Sequence, residues 1–329
     1  MTMRRFAETP DGAPVDLVTL TGGGTTAQVM TWGATLQDLR VDGVDRSLIL
    51  GSPDFAAYLG AMRYFGAIVG PVANRIAGGT AKIDGQRYEF ERNEAGRTTL
   101  HGGVIGTDAR LWELAERGED FCRLTLHLED GEGGFPGNRT LGAQYRLGDD
   151  GALTLSLTAT TDKATWINLA NHAYWNLTGA DGLDDHALTI AAASYLPVDD
   201  HLIPIGAPAP VAGTRFDFRT PRPVRREGEV MIDHNFCLDP GAIPSLTLTG
   251  GGLALEITTD MPGVQIFDAT GIAPGAGHDG RIYGPNAGLA IEPQFWPDAA
   301  NHPDYPSIRV SPGETWSQTS RFHIRTGTR

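Results

Sequence analysis

Leu153-Thr154-Leu155-Ser156-Leu157-Thr158 alternates a leucine with a small hydroxyl residue at every step. Period two is the spacing of a β-strand, where successive side chains point to opposite faces. The leucines therefore cover one face and the hydroxyls the other, the pattern of a half-buried antiparallel strand. The same beat occurs where Cys122, Leu124, Leu126 and Leu128 alternate with Arg123, Thr125, His127 and Glu129. It returns where Leu253, Leu255 and Ile257 alternate with Ala254, Glu256 and Thr258. Leu17, Leu20 and the run Val29 to Leu39 add early strands, bounded by Gly22-Gly23-Gly24 and Asp42-Gly43. Within Thr80 to Phe90, Ile83-Asp84-Gly85-Gln86 sets Asp-Gly between two extended runs, a strong two-residue hairpin signal. No segment sustains a 3.6-residue period. Pro53 to Leu59 has room for one helical turn, and Leu111 to Arg117 fits helix or strand equally. The expected fold class is all-β, a large antiparallel β-sandwich.

The 43 glycines and 21 prolines are spread along the 329 residues, which suits many strands joined by turns. Large all-β chains often run as one domain, so residues 1–329 are read as a single unit. The proline-rich stretches Pro204 to Pro210 and Pro221 to Pro223 are read as an ordered loop within it. A net charge of −14 opposes approach to nucleic acid phosphates and anionic membranes but leaves a neutral small molecule unaffected. The two cysteines, Cys122 and Cys237, make no disulfide framework and have no metal-ligand spacing. The N-terminal residues meet acidic and Gly/Pro positions before any apolar run of signal-peptide length. Nor does any stretch reach the apolar length of a membrane span. A cytoplasmic protein, monomeric or weakly dimeric, is expected.

The segment Asn168 to Leu177 carries the first functional hint. Its odd positions, from Ile167 to Leu177, are apolar except for Asn171, while Asn168, His172, Tyr174 and Asn176 share the other face. A strand whose second face met water would carry Lys, Glu and Thr there, so this row reads as the wall of a polar cleft. The blander alternative is a core histidine held by an asparagine. Other polar residues lie embedded in apolar or glycine-rich surroundings: Asn74-Arg75, His101 before Gly102-Gly103, Asp233-His234-Asn235, and Glu292 before Pro293. Gly102 and Gly103 would let backbone approach a ligand closely, and Pro293 would interrupt the strand ladder. Each has an ordinary structural explanation, but buried charges are costly unless paired or used. Gly275 to Gly280 matches a dinucleotide-loop pattern without the flanking strand and helix, so it is read as a loop. His127 lies on the solvent face of its strand.

These segments, in order, resemble the aldose 1-epimerase, or galactose mutarotase, family. The matches are Gly70 to Gly79 (GPVANRIAGG), Leu100 to Gly103 (LHGG), Thr161 to Leu177 (TDKATWINLANHAYWNL) and Pro197 to Phe218. Asp233 to Leu238 (DHNFCL), Pro262 to Phe267 (PGVQIF) and Ile291 to Pro312 complete the set, which covers most of the chain. The resemblance implies a large antiparallel β-sandwich and interconversion of α and β anomers of a free aldose such as galactose or glucose. It implies His172 as general acid and Glu292 as general base. Asn74, Arg75, His101, Asp233 and Gln265 would hold sugar hydroxyls, with Tyr174 a further wall. No metal or organic cofactor is implied. Three positions depart from the family pattern: Pro71 stands where Arg is common, Pro293 where Thr is usual, and Phe267 to Gly271 replaces a Tyr-Thr-Gly-Asn turn. Asp268 is a candidate hydroxyl ligand there.

Ring opening explains the residue types. One proton must leave the C1 hydroxyl and another must reach the ring oxygen, so two groups on different walls are needed. A glutamate is anionic at neutral pH and suits the base. A histidine is then mostly neutral, so an acid role calls for a nearby carboxylate to raise its pKa, and Asp233 is the expected source. A hexose-phosphate epimerase of similar fold would need more cationic groups. A glycoside hydrolase would pair two carboxylates. A sugar-binding protein without catalysis is the remaining alternative.

Overall fold

A computed structural model of the chain describes residues 2–225 and 231–327. The alternating segments form a nine-stranded antiparallel sheet. In spatial order its strands are Glu113–Arg117, Phe121–Leu128, Arg139–Leu147, Leu153–Thr161, Trp316–Thr326, Leu253–Thr259, Leu246–Gly250, Ala187–Ile190 and Arg222–Pro223. The early strands Thr2–Glu8, Pro14–Gly22, Thr25–Met30 and Thr35–Val41 make a four-stranded meander. A six-stranded sheet runs Tyr174–Trp175, Leu289–Gln294, Gly263–Phe267, Asp233–Cys237, Ser194–Tyr195, Ala209–Pro210. Leu153, Leu155 and Leu157 point inward and are fully buried, while Thr158 is exposed. They join one apolar core with Val18, Leu20 and Val29 of the meander and Trp175, Ile266 and Ile291 of the six-stranded sheet. The sandwich is the shape that lets every sheet bury its leucine face.

Short elements follow local chemistry. Asp84 and Gly85 both take positive φ, 51° and 80°, as the hairpin turn between Thr80–Ile83 and Gln86–Glu89 requires. Phe55–Tyr58 is one helical turn, with the Asp54 side chain accepting from Ala56 N–H. Of Leu111 to Arg117, the strand is Glu113–Arg117, with Leu111 in a single bridge to Trp32. Ala209–Pro210 and Arg222–Pro223 occupy sheet edges, where proline's missing N–H leaves no ladder bond unmade. Among the described residues, no helix is long and apolar enough to cross a membrane.

Two expectations are corrected. Asn168 to Leu177 is not one strand, because its backbone changes partners midway. Residues 168–172 bond to the segment 66–73, whereas Ala173 to Asn176 bond to 48–50 and 289–291. Asn171, the polar exception on the apolar face, is satisfied: its Nδ2 donates to Gly66 O and Tyr145 Oη, and its Oδ1 accepts from Ala173 N–H. Pro293 does not interrupt its ladder either. It pairs opposite Val264, and the strand continues through Gln294. Alternate N–H groups point to opposite sides, and that of Ile291 faces Ala173 O. The absent N–H of Pro293 therefore falls on the side away from Gly263–Phe267.

Leu157→Ala should cost about 2–5 kcal/mol through lost transfer energy and a residual cavity. Thr158→Ala, one residue on and facing water, should stay within about 0.5 kcal/mol. Urea midpoints at constant slope would check the pair; similar costs would mean the leucine face is not the buried one.

Candidate active site

The six-stranded sheet sorts its side chains by alternation. Trp175, Ile291, Val264, Ile266 and Phe236 enter the core, so Tyr174, Glu292, Gln265, Phe267 and Asp233 must leave by the other face. Register aligns them: Gln265 stands opposite Glu292, and Phe267 opposite both Ala290 and Asp233. Over this face lies a cavity of about 190 Å³, lined by Tyr64, Asn74, Arg75, Leu100, His101, His172, Tyr174, Asp233, Phe267 and Glu292. At roughly 30 Å³ per water it has room for about six, the scale of one sugar ring rather than a chain.

Loops supply the opposite wall. Arg75–Ile76 pairs with Thr99–Leu100, which brings Asn74 and His101 together across the bridge. Asn74 N–H donates to His101 Nδ1 at 3.1 Å, and His101 N–H donates to Asn74 O at 3.0 Å. Both residues hold positive φ, 59° and 51°, an uncommon backbone that Asn and His tolerate better than most. Gly102 follows at φ 85°, and a Cβ there would lie 2.0 Å from Gly70 O. The glycine thus serves close backbone-to-backbone packing and not, as expected, approach to a ligand. Tyr64 lies against both histidines, its ring 4.8 Å from that of His101 and 5.9 Å from that of His172.

His172 Nε2 lies 3.5 Å from Glu292 Oε1, and both side chains are almost wholly buried. His172 Nδ1 and Glu292 Oε2 make no hydrogen bond to another protein group. Burial pushes His172 down to about 4. Burial, reinforced by the charge of Asp233 and opposed by Arg75, pushes Glu292 well above the usual carboxylate range. Both shifts favour the uncharged forms, neutral imidazole and neutral carboxyl. Asp233 therefore does not raise the His172 pKa. It acts on Glu292.

Arg75 anchors the other end. Its Nε and Nη2 each reach a Glu94 oxygen at 2.8 Å, and its Nη1 lies 3.5 Å from Asp233 Oδ2. Gln265 Nε2 donates to Asp233 Oδ1 at 2.5 Å. Gln265 is thus one step back from the cavity lining, holding Asp233 in place. His101, His172 and Glu292 each bring a potential metal-ligand atom within 4.8 Å of the others. A backbone N–H can only donate, however, so His101 Nδ1 accepts from Asn74 and the neutral ring carries its proton on Nε2. That nitrogen is a hydrogen-bond donor and has no lone pair to give a cation.

The cavity thus gathers Asn74, Arg75, His101, His172, Tyr174, Asp233 and Glu292. Three other expectations do not reach it. Asn168 exchanges hydrogen bonds with the Phe295 backbone, and Asn176 Nδ2 donates to Ala180 O and Ala287 O. Both are internal braces, not cleft wall. Asp268 is fully buried, accepting from Ile232 and Thr270 N–H and lying 3.6 Å from Arg225 Nε. It also accepts from the Thr270 hydroxyl, so it braces a turn and does not line the cavity. Sequence reading missed Tyr64, Phe267 and Glu94. Phe267 could have been found from its position two residues after Gln265 on the same strand face. Glu94 lies in the charged run Glu89 to Glu94, which looks like solvated surface, and nothing local marks Tyr64.

Comparison with known proteins identifies the relatives of this chain. The aldose 1-epimerase family model matches residues 16–323. The chain is 37% identical to human galactose mutarotase, with 98% of each chain covered. It is 34% identical to aldose 1-epimerase of Escherichia coli, with 96% of each covered. Among solved structures, an aldose epimerase homologue from C. elegans superposes with TM-score 0.89 at 29% identity, covering 94% of this chain and 98% of that one. Galactose 1-epimerase from Lactobacillus acidophilus gives 0.86 at 28%, covering 99% and 98%. With its sandwich and its nearly full-length matches, this chain belongs to the aldose 1-epimerase family of isomerases.

Proposed function

We propose that the chain interconverts the α and β anomers of a free aldose such as galactose or glucose, with Glu292 as general base and His172 as general acid. The observation that carries this is the 3.5 Å contact between two orphaned, buried groups at the edge of a monosaccharide-sized cavity. Two groups so close can reach the two oxygens borne by one anomeric carbon. In the ionised form of the pair, Glu292 takes the proton of the C1 hydroxyl. The O1 electron pair closes the carbonyl as the bond from C1 to the ring oxygen breaks, and His172 delivers its proton to that oxygen. Rotation about C1–C2 exposes the other carbonyl face. The ring oxygen then attacks C1 while Glu292 returns a proton to O1 and His172 recovers its own.

The electrostatics fit this sequence. Ring opening converts a charged pair into neutral imidazole and neutral carboxyl, the state that burial favours. The site therefore supports the open-chain sugar, and the ionised pair forms when polar hydroxyls and Arg75 solvate it. Asn74, Arg75, His101, Asp233 and Gln265 hold the hydroxyls, directly or through one another, with Tyr174 as a wall. A single domain spanning 1–329 carries the activity, as a monomer or weak homodimer. We place the protein in the cytoplasm, in keeping with two free, buried cysteines. Its partner is the small sugar and neither nucleic acid nor membrane, consistent with the net charge of −14.

Polarimetry of freshly dissolved α-galactose and α-glucose tests this reading. His172→Ala and Glu292→Gln should each lower the enzymatic rate by about 10²–10⁴-fold. Retention of sugar binding without any acceleration by the wild type would make it a binding protein instead. A second outcome concerns pH. Asp233 makes Glu292 harder to ionise, so Asp233→Asn removes that repulsion while Arg75 still favours the anion. The limb of the kcat/KM profile set by Glu292 should then move to lower pH, and turnover should fall because Asp233 no longer holds a sugar hydroxyl. A profile that stays in place would exclude the coupling.

A further inference from the structure

An imidazole that hands a proton to one particular oxygen is ordinarily aimed by a hydrogen bond at its second ring nitrogen. The Nδ1 of His172 makes no such bond to another protein group. Rings surround it instead. Tyr174 lies 5.0 Å away with its plane 35° from that of the imidazole, and Tyr64 lies 5.9 Å away at 23°. His101 meets it edge-on at 5.2 Å and 75°. Tyr174 is fixed by its strand, which pairs it with Ala290, and by the Phe65 ring at 4.3 Å.

Tyr64 belongs to a turn segment with no strand to hold it, and an ion pair with no part in the cavity lining braces it. Arg63 Nε donates to Asp108 Oδ2 at 2.6 Å, and that carboxylate is wholly buried. Arg63 Nη2 donates to Val104 O at 2.9 Å. The guanidinium carbon stands over the Tyr64 ring, 5.1 Å from its centroid. Asp108 balances the charge of Arg63, so the ring gains a rigid neighbour. The loop that supplies Asp108 is itself tied down: Thr107 N–H donates to Gly70 O at 3.0 Å and Thr107 Oγ1 to Ile68 O at 2.6 Å. Asp108, Arg63, Tyr64 and His172 thus form one chain of contacts leading into the site.

We infer that Tyr64 is a positioning residue for His172, its ring holding the plane of the imidazole and steadying the imidazolium form, with the Arg63–Asp108 pair as its brace. The inference rests on the functional reading above. In that reading the proton donor is an imidazolium, in a site where burial opposes charge. Facing it are Glu292 at 3.5 Å, His101, which burial keeps neutral, and the two phenols. Burial raises the pKa of both Tyr64 and Tyr174, so neither ring carries a charge of its own. Each offers the negative face of an aromatic quadrupole within about 6 Å, the range over which a cation is attracted to a ring. An aliphatic side chain would fill the space but supply neither the flat surface nor the quadrupole.

Mutarotation of α-galactose by wild type, Tyr64→Leu and Tyr64→Phe, set beside galactose binding by calorimetry, tests the role. Tyr64→Leu should lose about tenfold or more in kcat while its galactose affinity stays within about threefold. Tyr64→Phe keeps the ring and should hold kcat within about threefold of the wild type. Retained affinity also reports that the variants are folded. Tyr64→Met should behave as the leucine variant does, and it carries the comparison alone if that variant fails to fold. An unchanged kcat without the ring, a loss taken in affinity alone, or a phenylalanine variant as slow as the aliphatic ones would overturn the role. A wild type that accelerates no free aldose would overturn the functional reading and this role with it.

Discussion

Alternation along one antiparallel sheet governs this molecule. In the six-stranded sheet every second side chain is committed to the core, and the intervening ones are thereby pushed out together on the other face. Ile291 and Glu292 are neighbours in sequence and belong to different worlds, one fully buried in hydrocarbon, the other facing a polar cavity. A slip of one residue in register would exchange them, placing a carboxyl in the core and a branched alkyl group in the site. The apolar face thus sets the register, and the register sets Glu292 opposite Gln265 and Phe267 opposite Asp233. Packing of the core and assembly of the site are two results of one constraint.

Charge is handled in two ways across the cavity. At one end Arg75 is saturated: Glu94 clamps it bidentately and Asp233 approaches it, so its charge is balanced and its geometry held. At the other end His172 and Glu292 are left with unsatisfied atoms, and burial drives both toward neutrality. Asp233 stands between these regimes, balanced by Arg75 on one side and pressing on Glu292 on the other. The cavity thus sets a rigid, compensated wall beside an uncompensated pair.

Much of this was legible in the residues. The leucine–hydroxyl alternation at 153–158 gave strands, Asp84-Gly85 gave a hairpin, and the embedded Asn74, Arg75, His101, His172, Asp233 and Glu292 stood out against apolar or glycine-rich neighbours. Less legible was what each polar residue on one face would do. Asn168, His172, Tyr174 and Asn176 look equivalent at period two. Their segment changes backbone partners midway, however, so two of them brace internal carbonyls and two reach the cavity. Asp268 looked like a ligand and proved to be a turn brace. Tyr64 and Glu94 carried no local mark, since Tyr64 gains its meaning from rings brought in by other segments and Glu94 from Arg75, nineteen residues before it.

By itself the sequence determined the class of fold and the kinds of chemistry available, because strand periodicity and turn preference are properties of near neighbours and because acids, bases and hydrogen-bonding groups are named in the residues themselves. Tertiary structure decided which polar groups meet, and which way burial pushes each of them. The case of Asp233 shows why: counting charges made it a support for His172, whereas in the fold its charge, together with burial, pushes Glu292 up. Desolvation and Coulomb energy depend on distance and on water excluded by the whole fold, and no local run of residues encodes either.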